Sequence, residues 1–194
     1  MVRFDGHRSA VTVLRFDAAG ERIVSGSKDT DIIVWDLLAE KALFRLRGHK
    51  DQITGLELLS TKTETGDLRQ DYLLSASKDA LVKVWDLNNP HCIETHVAQT
   101  NGECWALGLS PDGDGCITAG NDGELKVWQI DWDALSKINS TSEIDTNKRP
   151  EVLTSQGIIQ RQGKDRTIGV SFHPKQDYIA IHGSEKAVEI WRSH

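Results

Sequence analysis

Histidine, serine and aspartate together can cleave an acyl bond: the serine attacks, the histidine takes its proton and the aspartate orients the ring. The chain carries that trio twice, as His7, Ser25 and Asp29 and again as His49, Ser75 and Asp79. Each set is followed by a tryptophan at a constant offset, the serine ten positions and the aspartate six positions before Trp35 or Trp85. Thr118, Asp122 and Trp128 repeat these offsets, and Trp191 does so once more, with Ile181 and Glu185 at the matching places. An active site occurs once, whereas a set that recurs with its tryptophan belongs to the scaffold. The four groups suit a hydrogen-bond chain of indole to hydroxyl, hydroxyl to imidazole and imidazole to carboxylate, which leaves no buried donor unpaired. The chain is therefore read as non-enzymatic. In the third unit Gln99 or Thr100 stands where the histidine is expected, so the third and fourth units should be tied less tightly.

Other chemistry-bearing residues give weaker signals. Asp29-Thr30-Asp31 opens like a calcium loop, but the following positions lack the carboxylates and glycine that such a loop needs. His91 and His96 flank Cys92 at a spacing better suited to an exposed loop and strand than to a metal. Cys92, Cys104 and Cys116 make an odd number without a Cys-x-x-Cys pair, which argues against a disulfide framework or zinc site and suits a reducing compartment. No cofactor is implied. Trp105 reads as core of an inner strand. Trp132 reads as a cap on a sheet edge, with base stacking as the alternative. Lys148, Arg149, Arg161, Lys164 and Arg166 form the one basic cluster, either a solvated face or a contact for RNA phosphates or an acidic partner. A net charge of −6 over 194 residues favours protein partners over bulk phosphate binding. No window approaches 18 apolar residues, and no signal-peptide pattern opens the chain, so no membrane partner is expected.

The elements that position these residues are short strands. Val11–Phe16 alternates apolar and polar residues, Asp17-Ala-Ala-Gly20 turns the chain, and strands follow at Arg22–Ser27, Asp31–Trp35 and Ala42–Arg47. Gly48-His49 restarts the pattern 42 residues after Gly6-His7, the period of a four-stranded propeller blade. The second unit reads Ile53–Leu59, Tyr72–Ser77, Leu81–Trp85 and Cys92–Val97, with Ser60–Asp71 as a lengthened polar loop. The third reads Cys104–Leu109, Cys116–Gly120 and Glu124–Ile130, and the fourth Thr167–Phe172, Tyr178–Gly183 and Ala187–Trp191.

The fold expected is all-β, a β-propeller of about four blades over 1–194, bounded at 5–47, 48–98, 99–163 and 164–194. Polar composition predicts one helical turn within Trp132–Ile138 and a disordered insertion near 139–156, with order resuming near Gly157. The fourth unit lacks an outer strand, and Val2–Phe4 is suited to complete it, because an open sheet edge offers unpaired backbone groups to any passing strand. Propellers run from about four to eight blades, and the chain reads as an incomplete segment of a seven-bladed ring.

With Gly6-His7, Asp29, Trp35-Asp36, Gly48-His49, Asp79 and Trp85-Asp86 in place, the whole chain resembles the WD-repeat proteins. A narrower resemblance rests on Gly26–Leu37, Phe44–Asp51, Gln52–Thr54, Pro90–Cys92, Arg161-Gln162, Arg166 and His182-Gly183. It is to the nucleolar WD-repeat subunits of the UtpB subcomplex of the small-subunit processome. That likeness implies two tandem propellers and a helical domain in the full family member, of which this chain covers about four blades of the first propeller. It implies residence in the nucleus and nucleolus and a scaffold role in pre-rRNA processing and small-subunit ribosome biogenesis. It also implies partners among the other UtpB subunits and the pre-ribosomal RNA particle. The alternative is a general WD-repeat adaptor in signalling or ubiquitin-ligase substrate recognition.

Overall fold

An aspartate whose side chain caps the amide two residues on makes a tight turn, and each of the first three blades uses that turn to enter its third strand. Asp29 Oδ1 accepts from the Asp31 amide at 3.1 Å, Asp79 Oδ1 from Leu81 at 3.0 Å and Asp122 Oδ1 from Glu124 at 3.1 Å. In these three turns the residue between is left-handed, so Thr30 and Ala80 sit at φ of 71° and 68°. Only the third turn places a glycine there, Gly123 at 74°. The computed structural model describes residues 2–62, 68–140, 151–161 and 166–192, with backbone only at 61–62, 68–70 and 139–140.

Around these turns the strands form four antiparallel sheets. The first blade is β1 (Val11–Phe16), β2 (Arg22–Ser27), β3 (Ile32–Asp36) and β4 (Lys41–Leu46). The second is β5 (Ile53–Lys62), β6 (Leu68–Ser77), β7 (Leu81–Asp86) and β8 (His91–Val97). The third is β9 (Cys104–Leu109), β10 (Gly115–Gly120), β11 (Glu124–Ile130) and, after the helix α1 (Trp132–Ser140), β12 (Leu153–Gln160). The fourth has three strands, β13 (Thr167–Phe172), β14 (Tyr178–Gly183) and β15 (Val188–Arg192).

The tryptophan offset follows from strand register. Ser25 pairs with Ile33, Ser75 with Lys83 and Thr118 with Lys126. Each tryptophan stands two residues beyond that partner, so hydroxyl and indole lie on the same sheet face. The pairing of the outer strand shifts just before the tryptophan in all three four-stranded blades, at Val34/Trp35, Val84/Trp85 and Val127/Trp128. Such bulges increase the local twist that sheets packed side by side need.

Blades pack in chain order, β1 and β2 on β5, β5 and β6 on β9, and β9 and β10 on β13. The approach is close: a Cβ on Gly26 would meet Ile53 of the next blade at 2.5 Å, and one on Gly55 would meet Leu107 at 2.6 Å. Each of the first two inner strands also donates a hydroxyl to the next blade, Thr12 to the Ile53 carbonyl at 2.6 Å and Thr54 to the Cys104 carbonyl at 2.9 Å.

Three expectations differ from the structure. Ser60–Asp71 is shorter as a loop, because β5 and β6 continue pairing through Thr61–Arg69 and Lys62–Leu68, and 63–67 lie outside the described residues. The insertion is ordered beyond the single turn expected, as α1 runs to Ser140 and β12 pairs with β11 from Leu153. Four apolar residues explain this: Ala134, Leu135, Val152 and Leu153 are all buried in the core shared with the second blade. Residues 141–150 lie outside the described residues. Val2–Phe4 forms no strand on the fourth blade, and the Phe4 ring instead lies 5.3 Å from Trp35 of the first.

Candidate functional site

The repeated polar set closes into a relay in the first two blades. Trp35 Nε1 donates to Ser25 Oγ at 2.7 Å, His7 Nε2 meets the same oxygen at 2.7 Å, and His7 Nδ1 lies 3.1 Å from Asp29. The second blade repeats this with Trp85, Ser75, His49 and Asp79 at 2.7, 2.7 and 2.9 Å. The next backbone amide, of Arg8 or Lys50, also donates to the carboxylate. Burial raises the Asp29 and Asp79 carboxyl pKa values, but these amides and the histidines outweigh it and hold both below the ordinary carboxylate range. Ser25 and Ser75 are buried beneath their tryptophans, so neither hydroxyl is presented to a substrate as a nucleophile must be.

In the third blade the relay is cut. Trp128 Nε1 still donates to Thr118 Oγ1 at 2.9 Å, but no imidazole joins them. The histidine of the first two blades stands four residues before the inner strand (7 and 11, 49 and 53), which places its counterpart at Thr100, before Cys104. Thr100 is exposed, while Gln99, at the glycine position, turns inward against Gly120. Gln99 Nε2 and Oε1 and Asp122 Oδ2 are buried without hydrogen-bond partners. Burial now prevails at Asp122 and, with the Glu124 charge, lifts its pKa above the usual value despite amide hydrogen bonds from Glu124 and Asn101. His96 approaches Trp128 at 5.6 Å but pairs with Glu94 at 2.9 Å rather than with Thr118. In the fourth blade, Trp191 Nε1 donates to Glu189 at 3.0 Å, two residues away on its own strand.

The basic cluster does not assemble as expected. Lys148, Arg149 and Lys164 lie outside the described residues. Arg161 is a correction: its side chain is 2% exposed, and its guanidinium bonds Glu189 and the Thr167 hydroxyl and joins the third blade to the fourth. Arg166 is exposed, its Cζ 4.3 Å from the centroid of the Trp105 ring. Lys78, from the β6–β7 turn, places its Nζ 3.8 Å from the same centroid, and Trp105 Nε1 donates to Glu103 at 2.8 Å. Trp105 is thus a half-buried platform for two cations rather than plain core. It stands where Thr12 and Thr54 make their ties in the earlier blades, second in the inner strand.

Other single residues settle into structural contacts. Trp132 donates to Asp114 at 3.0 Å and packs on the shared core. His91 bonds the Asn89 carbonyl. Among the described residues, no group of three or more histidine, cysteine, aspartate or glutamate side chains is placed to hold a metal. Sequence reasoning missed Glu94, whose carboxylate accepts from the Val152 amide at 2.6 Å and from Leu153 at 3.1 Å and pins the return of the insertion. No local pattern marks it, since its partners lie 58 and 59 residues away.

The relay is complete in the first two blades and reduced to its tryptophan and hydroxyl in the third, and over these same blades the WD40 pattern (WD domain, G-beta repeat) matches residues 1–36, 40–86 and 90–129. The chain belongs to the WD40 family. This WD40 chain is similar to U3 small nucleolar RNA-associated protein 12 of Saccharomyces cerevisiae, 39% identical over 196 residues, which cover 99% of the chain and 18% of that protein. It is also similar to nuclear distribution protein nudF of Aspergillus niger, 26% identical over 167 residues, covering 66% of the chain and 37% of the relative. The chain thus spans well under half the length of either relative. The crystal structure of the C-terminal WD40 domain of Sif2 superposes with a TM-score of 0.74 at 21% identity, covering 98% of this chain and 48% of that one. That likeness carries the propeller fold.

Proposed function

We infer that the chain is a non-catalytic protein-interaction scaffold in small ribosomal subunit biogenesis, part of a propeller that holds partner proteins within the small-subunit processome. The observation that carries this reading is the 39% identity to a U3 small nucleolar RNA-associated protein, sustained over 99% of the chain. The other relative named above is less similar, at 26% over 66% of the chain. A rigid set of blades presents many loops at fixed geometry, and binding residues concentrate on such loops. In this reading the partners are the other UtpB subunits and the pre-ribosomal RNA particle, and the chain resides in the nucleolus. The relays serve the scaffold, and of the expected basic residues Arg166 is the described one free to meet a partner.

Affinity capture of the tagged full-length protein, probed for pre-ribosomal RNA and processome proteins, tests this. Recovery of both supports the reading. Recovery of an unrelated assembly, such as a ubiquitin-ligase complex, removes it and leaves a general WD40 adaptor.

A further inference from the structure

Trp105 joins three successive blades. It stands on β9 of the third, Lys78 reaches it from the second, and Arg166 reaches it from the entry to the fourth. The second and fourth blades lie on opposite sides of β9, so the two cations approach the indole from opposite sides. Such contacts are favourable because the ring face carries negative potential. They leave each cation held by an aromatic surface rather than neutralised by a carboxylate: no ion pair or side-chain hydrogen bond engages Lys78 or Arg166 among the described residues. Asp79, next in sequence to Lys78, is occupied by His49 and the Lys50 amide, and Glu103 by the indole N–H.

We propose that Lys78, Trp105 and Arg166 form a binding site for an acidic peptide segment in extended conformation, its two carboxylates two residues apart. The separation fits. Lys78 Nζ and Arg166 Cζ are at most about 8 Å apart, the two centroid distances laid end to end. Alternate side chains on one face of an extended strand repeat at about 6.6–6.8 Å. The guanidinium can take one carboxylate bidentately and the ammonium the other as a point charge. Nucleic acid fits less well, because two cations already lie within 4.3 Å of the ring centroid and a base stacking there would have to displace one. The chain's net charge of −6 and Glu103 at the indole edge also disfavour a long polyanion. This site does not depend on which assembly the chain serves.

Fluorescence anisotropy on the full chain tests it with three labelled probes: a peptide centred on Asp-Ser-Asp, its Asn-Ser-Asn counterpart and a 12-nucleotide oligouridine. At low salt the Asp-Ser-Asp peptide should bind about tenfold tighter than the Asn-Ser-Asn one. Lys78→Gln and Arg166→Gln should each remove most of that difference and together all of it, with the far-ultraviolet circular dichroism spectrum of the folded chain unchanged. Trp105→Leu should weaken the acidic peptide by freeing both cations. Equal binding of the two peptides, or an unchanged Kd in the double variant, overturns the proposal. So does oligouridine binding tighter than the acidic peptide and lost in the same variants, which would assign the cations to RNA.

Discussion

Replacing Gln99 by glycine and Thr100 by histidine should rebuild in the third blade the relay that closes the first two. The register supports the choice of positions, since residue 100 stands four before β9, as His7 and His49 stand four before β1 and β5. The double change removes two buried amide atoms that lack partners and gives Asp122 Oδ2 an imidazole to bond. Each unpartnered buried group costs about 1–3 kcal/mol. Against this stand the backbone freedom of a new glycine, about 0.5–1 kcal/mol, and incomplete recovery of ideal geometry. A net gain of about 1–2 kcal/mol remains, which for a chain of this size raises Tm by about 2–8 °C. Thermal melts give the total, and amide hydrogen exchange over β9–β11 gives its location. Thr100→His alone should yield less, because Gln99 still occupies the glycine position. An unchanged or lower Tm, with β9–β11 exchanging as before, would refute both the register assignment and the claim that Gln99 weakens this blade.

The aspartates predict opposite acid responses in neighbouring blades. Asp29 and Asp79, held low, contribute stability that is present above the ordinary carboxylate pKa of about 3.9 and lost as pH falls further, through their folded values. Asp122, held high, instead gains stability as pH falls through its raised folded value toward about 3.9. Exchange protection in the third blade, corrected for intrinsic rate, should therefore rise as pH falls from neutral toward about 3.9 while the first two blades hold steady. Ser75→Ala strands the Trp85 indole N–H, and the urea midpoint should fall by an equivalent of about 1–3 kcal/mol. Glu94→Ala removes the acceptor of the Val152 and Leu153 amides, so β12 should lose exchange protection while β1–β4 keep theirs.

The propeller was legible because its signal is local and repeated. Ten residues from Ser25 to Trp35 is what one tight turn and a fixed register impose, and the same constraint recurs at Ser75 and Thr118. The insertion misled because Ala134, Leu135, Val152 and Leu153 are few and scattered in a polar stretch, and only the fold shows that they share one core. The Trp105 site was hidden for a different reason. Lys78, Trp105 and Arg166 come from three blades, and nothing in the spacing of 78, 105 and 166 signals that they meet.

The loss of repetition along the chain also has a physical direction. The first and second blades are joined to their successors by threonine hydroxyls and stiffened by complete relays, short contacts that fix geometry tightly. Between the third and fourth blades those devices are replaced by long charged side chains. Arg161 reaches across to Glu189, whose carboxyl its hydrogen bond holds below the usual range, and Arg166 reaches back to Trp105. A threonine tie leaves nothing for a partner to recognise, whereas a guanidinium resting on an indole keeps its charge and its donors available. The positions where this chain departs from its own repeat are thus where the WD40 scaffold gives up rigidity and gains groups that can bind.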